Sequence, residues 1–84
     1  MYTDAWLEEL REIARSQLDV VHILQVMIER HEEFTSYPMR VATAFRRVFD
    51  LSVIQISSIV GWLEGNLTDD DIRQIVPSDS LRLE

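Results

Sequence analysis

The chain has 84 residues, of which 46% are hydrophobic, and a formal net charge of −7 at pH 7. This length makes one domain, and the hydrophobic fraction is too high for a disordered chain. The absence of cysteine excludes disulfides and thiolate metal sites, while the acidic balance argues against bulk attraction to nucleic acid or to anionic membranes.

The first predicted element is a long helix over residues 4–33. Apolar side chains recur every three or four residues from Trp6 to His31, which is typical of an amphipathic helix. Ser16 and Asp19 have the spacing of a capping box, which favours a break at that point. The apolar phase nevertheless continues past Ser16 without a slip, so we predict one continuous helix.

The middle of this helix, residues 18–28, is apolar on most of its circumference. A helix over residues 4–33 is about 45 Å long, whereas a globule of this size is about 30 Å across. Because the helix would overhang its own domain, we expect a homodimer that covers the overhang. The residues predicted to form the interface are Trp6, Leu18, Ile23, Leu24, Val26, Met27, His31, Phe45, Phe49 and Trp62.

Three shorter helices and an exposed tail are predicted for the rest of the chain. Pro38 suits a first helical turn, Ser52 suits an N-cap, and Gly65 suits the position after a helix end. The predicted bounds are 38–49, 52–64 and 69–76 for the helices and 77–84 for the tail. The predicted fold is therefore all-α: a single-domain helical bundle in which a long N-terminal helix packs with two or three shorter helices.

The third predicted helix, residues 52–64, carries an apolar stripe that we expect to face the core. The stripe consists of Val53, Ile56, Val60 and Leu63, with Ile59 beside it. The high content of β-branched residues also fits a strand. No second strand is visible to pair with it, so we predict a buried helix.

The sequence shows no pattern typical of a catalytic or metal site. His22 and His31 are nine residues apart, which places them on opposite sides of one helix. The adjacent aspartates at 69–71 lack the alternating spacing of a calcium loop. We expect no enzymatic activity, no metal and no cofactor. One alternative is an enzyme site completed across a dimer by His31 and Glu32.

The segment FRRVFDLSVIQISSIVG, residues 45–61, resembles the scaffolding helix of repressor-type helix-turn-helix proteins. The resemblance lies in the spacing of Leu51-Ser52, Ile56-Ser57 and Gly61, and it implies DNA binding by the helix that follows. In this chain the following helix begins with three aspartates, which repel phosphate.

The leading interpretation is a non-enzymatic protein–protein interaction module, a small acidic regulator, adaptor, immunity or inhibitor protein that binds another protein. The alternative is a degenerate helix-turn-helix transcriptional regulator that binds DNA. The only basic cluster, Arg40, Arg46 and Arg47, suits phosphate or the acidic first helix of a second chain. We expect a cytoplasmic location, because the acidic N-terminal segment does not resemble a signal peptide and no apolar stretch is long enough to span a membrane.

Overall fold

The computed structural model describes the backbone of residues 2–81 and the side chains of residues 5–81, and this part of the chain is all-α. The small helical bundle predicted from the sequence is confirmed. The five helices are α1 Tyr2–Ser16, α2 Val20–Arg30, α3 Pro38–Val48, α4 Val53–Leu63 and α5 Asp69–Ile75. Two short 3₁₀-helices, Glu32–Ser36 and Ser78–Ser80, follow α2 and α5.

The predicted continuous helix over residues 4–33 is corrected by the structure, which contains two helices separated by residues 17–19. Asp19 is the N-cap of α2, and its Oδ2 accepts a hydrogen bond of 3.2 Å from the backbone N–H of His22. The capping signal at this point was therefore informative. The cap is Asp19, however, and not Ser16, whose hydroxyl donates to a carbonyl within α1.

The break returns α2 to the body of the molecule, so that α1 and α2 pack against each other. The molecule measures 30 × 26 × 21 Å, and its longest described helix, α1, is only about 22 Å long, so none of the described helices overhangs the bundle. One core collects side chains from every helix. Its largest fully buried members are Trp6, Leu10, Val20, Ile23, Leu24, Met27, Phe34, Phe45, Phe49, Ile59, Ile72 and Leu81.

The ends of the last three helices follow local signals in the sequence. Pro38 lies in the first turn of α3, and Ser52 caps α4 in a reciprocal capping box with Gln55. Thr68 caps α5 in the same way. Gly65 has a φ of 83°, a left-handed conformation that reverses the chain after α4.

The predicted exposed tail is also corrected where the structure describes it. Ser78–Ser80 forms a 3₁₀-helix, and Leu81 is fully buried in the core of its own chain. The hydroxyl of Ser78 donates to the carbonyl of Leu18 in the bend between α1 and α2. The remaining tail residues, 82–84, lie outside the described part of the chain.

None of the helices described here has both the length and the apolar character that a membrane span requires.

Candidate functional site

Six of the ten predicted interface residues lie in the core of their own chain. Their side chains are at most 1% exposed, so a second chain cannot contact them without local unfolding. The six are Trp6, Ile23, Leu24, Met27, Phe45 and Phe49. Because the helices of the same chain already cover these side chains, the overhang that motivated the predicted dimer interface does not exist.

The other four predicted interface residues differ in exposure. Leu18 is 41% exposed in the bend between α1 and α2, while Val26 and His31 are half-buried. Trp62 is also half-buried, and its indole Nε1 donates a 2.8 Å hydrogen bond to Oδ1 of Asp69. This bond ties the end of α4 to the start of α5, so Trp62 has a structural role within the chain.

His31 belongs to a cluster of charged side chains that joins α1 to the end of α2. Its Nε2 pairs with the carboxylate of Glu9, and its Nδ1 lies 3.9 Å from Oε1 of Glu33. Arg30 reaches the same Glu9 carboxylate at 3.4 Å. Both ring nitrogens of His31 thus face carboxylates of the same chain, and Glu32 points to solvent. The structure does not bring His31 and Glu32 together as a pair.

A second charged cluster fixes the bend between α1 and α2 to α5. Oδ1 of Asp19 accepts a hydrogen bond of 3.1 Å from Nε of Arg73, and Oδ2 accepts one of 3.2 Å from Nη2. This forked hydrogen bonding from Arg73 holds the pKa of Asp19 below its ordinary value, and the hydrogen bond from the His22 amide acts in the same direction. Sequence reasoning missed the pair because its members are 54 residues apart.

Among the side chains of residues 5–81, no group of three or more His, Asp or Glu residues is arranged to hold a metal ion. The three aspartates at 69–71 occupy the first turn of α5. There Asp71 completes the capping box, Asp69 accepts the bond from Trp62, and Oδ1 of Asp70 lies 4.0 Å from Nη1 of Arg73, so each of the three carboxylates has a partner within the chain.

The most exposed apolar surface of the described chain lies on α4. Val53 is 70% exposed and Ile54 is 72% exposed, although both are large aliphatic side chains. Ser57 is exposed and Val60 is half-buried, and helical spacing places both on the same side as Val53. We call these four residues the outer face of α4. No charged residue occurs anywhere in α4.

The stripe predicted to bury α4 is therefore corrected. Ile59, which was placed beside the stripe, is fully buried, whereas Val53 within the stripe is exposed. The sequence of α4 is apolar on nearly every side, so the period of its apolar residues does not distinguish the buried face from the exposed one. Only the packing of α4 against α3 and α5 makes that distinction.

The helix-turn-helix resemblance can also be compared with the geometry. After α4, residues 64–68 form the connection to α5, which is only seven residues long. Its first turn is acidic, and its apolar Ile72 is buried. A helix that presents three aspartates at its N-terminus is opposite in charge to what a phosphate backbone requires.

Comparison of the chain with protein-family models, with curated proteins and with solved structures finds no match. The functional proposal therefore rests on contacts, burial and charge within this chain.

Proposed function

We propose that this protein is a non-enzymatic interaction module that acts by binding other proteins, and that the outer face of α4 is one of its binding surfaces. The observation that carries the proposal is the exposure of Val53 and Ile54 in a helix without charged residues. Ile56, Ile59 and Leu63, on the other side of α4, pack on the core instead. Exposed apolar side chains that adjoin one another mark contact sites more often than isolated ones do.

A second copy of the chain is the first partner that we assign to the outer face of α4. Each copy carries a net charge of −7, so two copies repel each other wherever their charged surfaces meet. The outer face of α4 is uncharged and therefore avoids that repulsion. A contact between two helices of about 16 Å buries less than the ~800 Å² per partner of a standard interface, so we expect a dimer that dissociates on dilution.

Within this function, the biological role that we propose is that of a small acidic regulator, adaptor, immunity or inhibitor protein. Several polar side chains that could serve chemistry already have structural partners. Ser52 caps α4, Ser58 donates to the carbonyl of Ile54, and His31 pairs with Glu9. These contacts support a binding role over a catalytic one.

Sedimentation equilibrium tests the proposed dimer. The wild-type protein should show a molar mass that rises from monomer to dimer with concentration, whereas Ile54→Glu should remain monomeric because the dimer would bury two carboxylates. Met39→Glu is the matched control, since Met39 on α3 is 70% exposed and lies outside the outer face of α4. A wild-type protein that stays monomeric at every concentration would disprove the dimer.

Site-specific photo-crosslinking in the source cell tests the wider binding function. A photoreactive residue at position 54 should give discrete products of higher mass, and one at Gln25, an exposed position on α2, should not. If position 54 gives no more product than position 25, the outer face of α4 is not a binding surface.

A further inference from the structure

The exposed side of α3 differs in charge from the rest of the molecule. Residues 34–49 contain three arginines and no acidic residue, although the whole chain has 15 acidic residues against eight basic ones. All three arginines are exposed, as are Met39 and Thr43. We call Met39, Arg40, Thr43, Arg46 and Arg47 the arginine face of α3.

Helical spacing brings the members of the arginine face together on one side. Arg40 and Arg47 are seven residues apart, which places them about two turns, or about 10 Å, apart on the same side. Arg46 is three residues after Thr43 and seven after Met39, so it shares their side of the helix. The buried side of α3 carries Val41, Ala44, Phe45 and Val48 instead.

Two of these arginines have no carboxylate partner in the described part of the chain. Arg11, Arg30 and Arg73 each pair with a glutamate or an aspartate at 3.1–3.5 Å. Arg46 and Arg47 form no ion pair or hydrogen bond with the described residues. In a chain with a large excess of carboxylates, these two positive charges remain available to an outside partner.

The stability of α3 accounts for only part of this charge. Arg46 and Arg47 lie in the last turn, where cations suit the helix dipole. Arg40 lies in the first turn, where the dipole disfavours a cation, and its guanidinium lies 4.8 Å from the centre of the Tyr37 ring. Tyr37 is 45% exposed and Met39 is 70% exposed, so apolar surface adjoins the charges.

We propose that the arginine face of α3 binds an acidic segment of another protein, an inference that rests on the proposed protein-binding function and names the class of its partner. The carboxylates of the segment pair with Arg46 and Arg47, and one of its apolar side chains covers Met39. Positive charge beside an exposed methionine matches a segment that carries both carboxylates and apolar side chains.

A protein segment suits this face better than nucleic acid does. Three arginines neutralise few phosphates. A long polyanion would also extend beyond the arginine face and be repelled by the net charge of −7, whereas a short segment contacts only the arginine face. The surface assigned to a second copy is the uncharged outer face of α4. The arginine face is therefore open to a different protein when the dimer forms.

Selection from a library of random peptides displayed on phage tests the proposal with the full-length protein. The selected peptides should be acidic and should each contain apolar residues. Their affinity should fall strongly when ionic strength is raised from about 0.01 M to about 1 M, since the screening length then shortens from about 30 Å to about 3 Å. Selected peptides without excess acidic residues would overturn the proposal.

Charge reversal at single positions locates the binding surface. Arg46→Glu and Arg47→Glu should each weaken peptide binding roughly five- to tenfold, because an attraction becomes a repulsion. Arg15→Glu is the matched control, since Arg15 is an exposed arginine on α1 that also has no ion pair among the described residues. Equal losses in all three variants would show a general charge effect and overturn the proposal. Arg46→Lys and Arg47→Lys, which keep the positive charge, should retain most of the wild-type affinity.

Two further readouts separate this proposal from its alternatives. Ile54→Glu should abolish the dimer and leave peptide binding intact, so failure of the dimer and failure of the arginine face are distinguishable. If Arg47→Glu instead lowers the molar mass, the arginine face contacts a second copy. If random-sequence duplex DNA binds and Arg47→Glu abolishes that binding, the partner is nucleic acid. Either result would overturn the proposal of an acidic protein segment.

Discussion

The side chain of Asp19 links two parts of the described chain that are 54 residues apart in sequence. It accepts hydrogen bonds from the backbone N–H of His22 in the first turn of α2 and from the forked guanidinium of Arg73 in α5 at the same time. Its carboxylate therefore fixes the start of α2, and it fixes α5 to the bend between α1 and α2. The pKa of Asp19 is lowered chiefly by the hydrogen bonds from Arg73, which means that the folded state favours the ionised carboxylate.

Substitution of Asp19 should separate its two roles. Asp19→Asn retains a good N-cap but removes the charge that Arg73 contacts. Asp19→Ala removes the N-cap as well as the charge. We expect Asp19→Ala to be the less stable of the two by about 0.5 to 2 kcal/mol, the usual contribution of an N-cap. Urea denaturation of both variants at pH 7 measures this difference.

The stabilisation by ionised Asp19 should depend on pH. Because the folded pKa of Asp19 lies below its unfolded value, the stabilisation is complete above the unfolded pKa, which is about 3.9. It is lost as the pH falls through the lower folded pKa. The stability difference between wild type and Asp19→Asn should therefore shrink between pH 7 and pH values below about 4. A difference that is the same at both pH values would show that the ion pair does not contribute.

At the scale of elements, the side chain of Gln55 connects the start of α4 to the C-terminal part of the described chain. Gln55 accepts a hydrogen bond from the Ser52 amide through Oε1 at 3.0 Å. Through Nε2 it donates to the carbonyl of Ile75 at 3.1 Å and to the hydroxyl of Ser80 at 2.8 Å. One side chain thus joins the start of α4, the end of α5 and the segment that leads to the buried Leu81.

Gln55→Ala should weaken the attachment of the C-terminal segment. The substitution leaves the half-buried carbonyl of Ile75 without this donor, which should lower the free energy of unfolding by about 1 to 3 kcal/mol. Hydrogen exchange should increase most at residues 78–81. Gln74→Ala is the control, because Gln74 is an exposed glutamine on α5, and its effect should stay within about 0.5 kcal/mol. Equal effects of the two substitutions would contradict this role of Gln55.

At the scale of the whole molecule, the break after α1 replaces an overhanging helix by a closed bundle. The apolar residues of 18–28 that were expected to need a second chain are covered mainly by α1, α5 and the 3₁₀-helix Glu32–Ser36. The proposed binding surfaces consequently lie on α3 and α4. Any dimer then joins two bundles that are already closed, which agrees with the weak, concentration-dependent association proposed for α4.

Leu24→Ala tests this closure. Leu24 is fully buried, so its truncation should lower the free energy of unfolding by about 2 to 5 kcal/mol without changing the molar mass of the folded protein. That loss is a large share of the roughly 4 to 13 kcal/mol expected for a domain of this length. Leu18→Ala, at a position that is 41% exposed, should cost much less. A lower molar mass for folded Leu24→Ala than for the wild type would instead show that residues 18–28 form an interface between chains.

The sequence by itself determined the all-α class and most of the helix ends. Pro38, the capping box of Ser52 and Gln55, and the capping box of Thr68 and Asp71 all act between residues at most three apart. Such signals are visible in a short window of sequence because the whole interaction lies within it. The predicted starts and ends of the last three helices accordingly differ from the observed ones by no more than one residue.

The sequence marked a possible break near Asp19, but only the tertiary structure decided that the first helix breaks there, which side of α4 is exposed and how the chain is held near residue 81. These features depend on contacts between distant residues: Asp19 with Arg73, 54 residues away, and Leu18 with Ser78, 60 residues away. The apolar pattern continues through the break, so its periodicity is compatible with a continuous helix and with a broken one. The pattern also surrounds α4, so it does not show which face of α4 is buried. The observed break and the observed buried face of α4 follow from the burial of apolar side chains. Burial lowers the free energy of the folded chain only when the other helices are in place to exclude water.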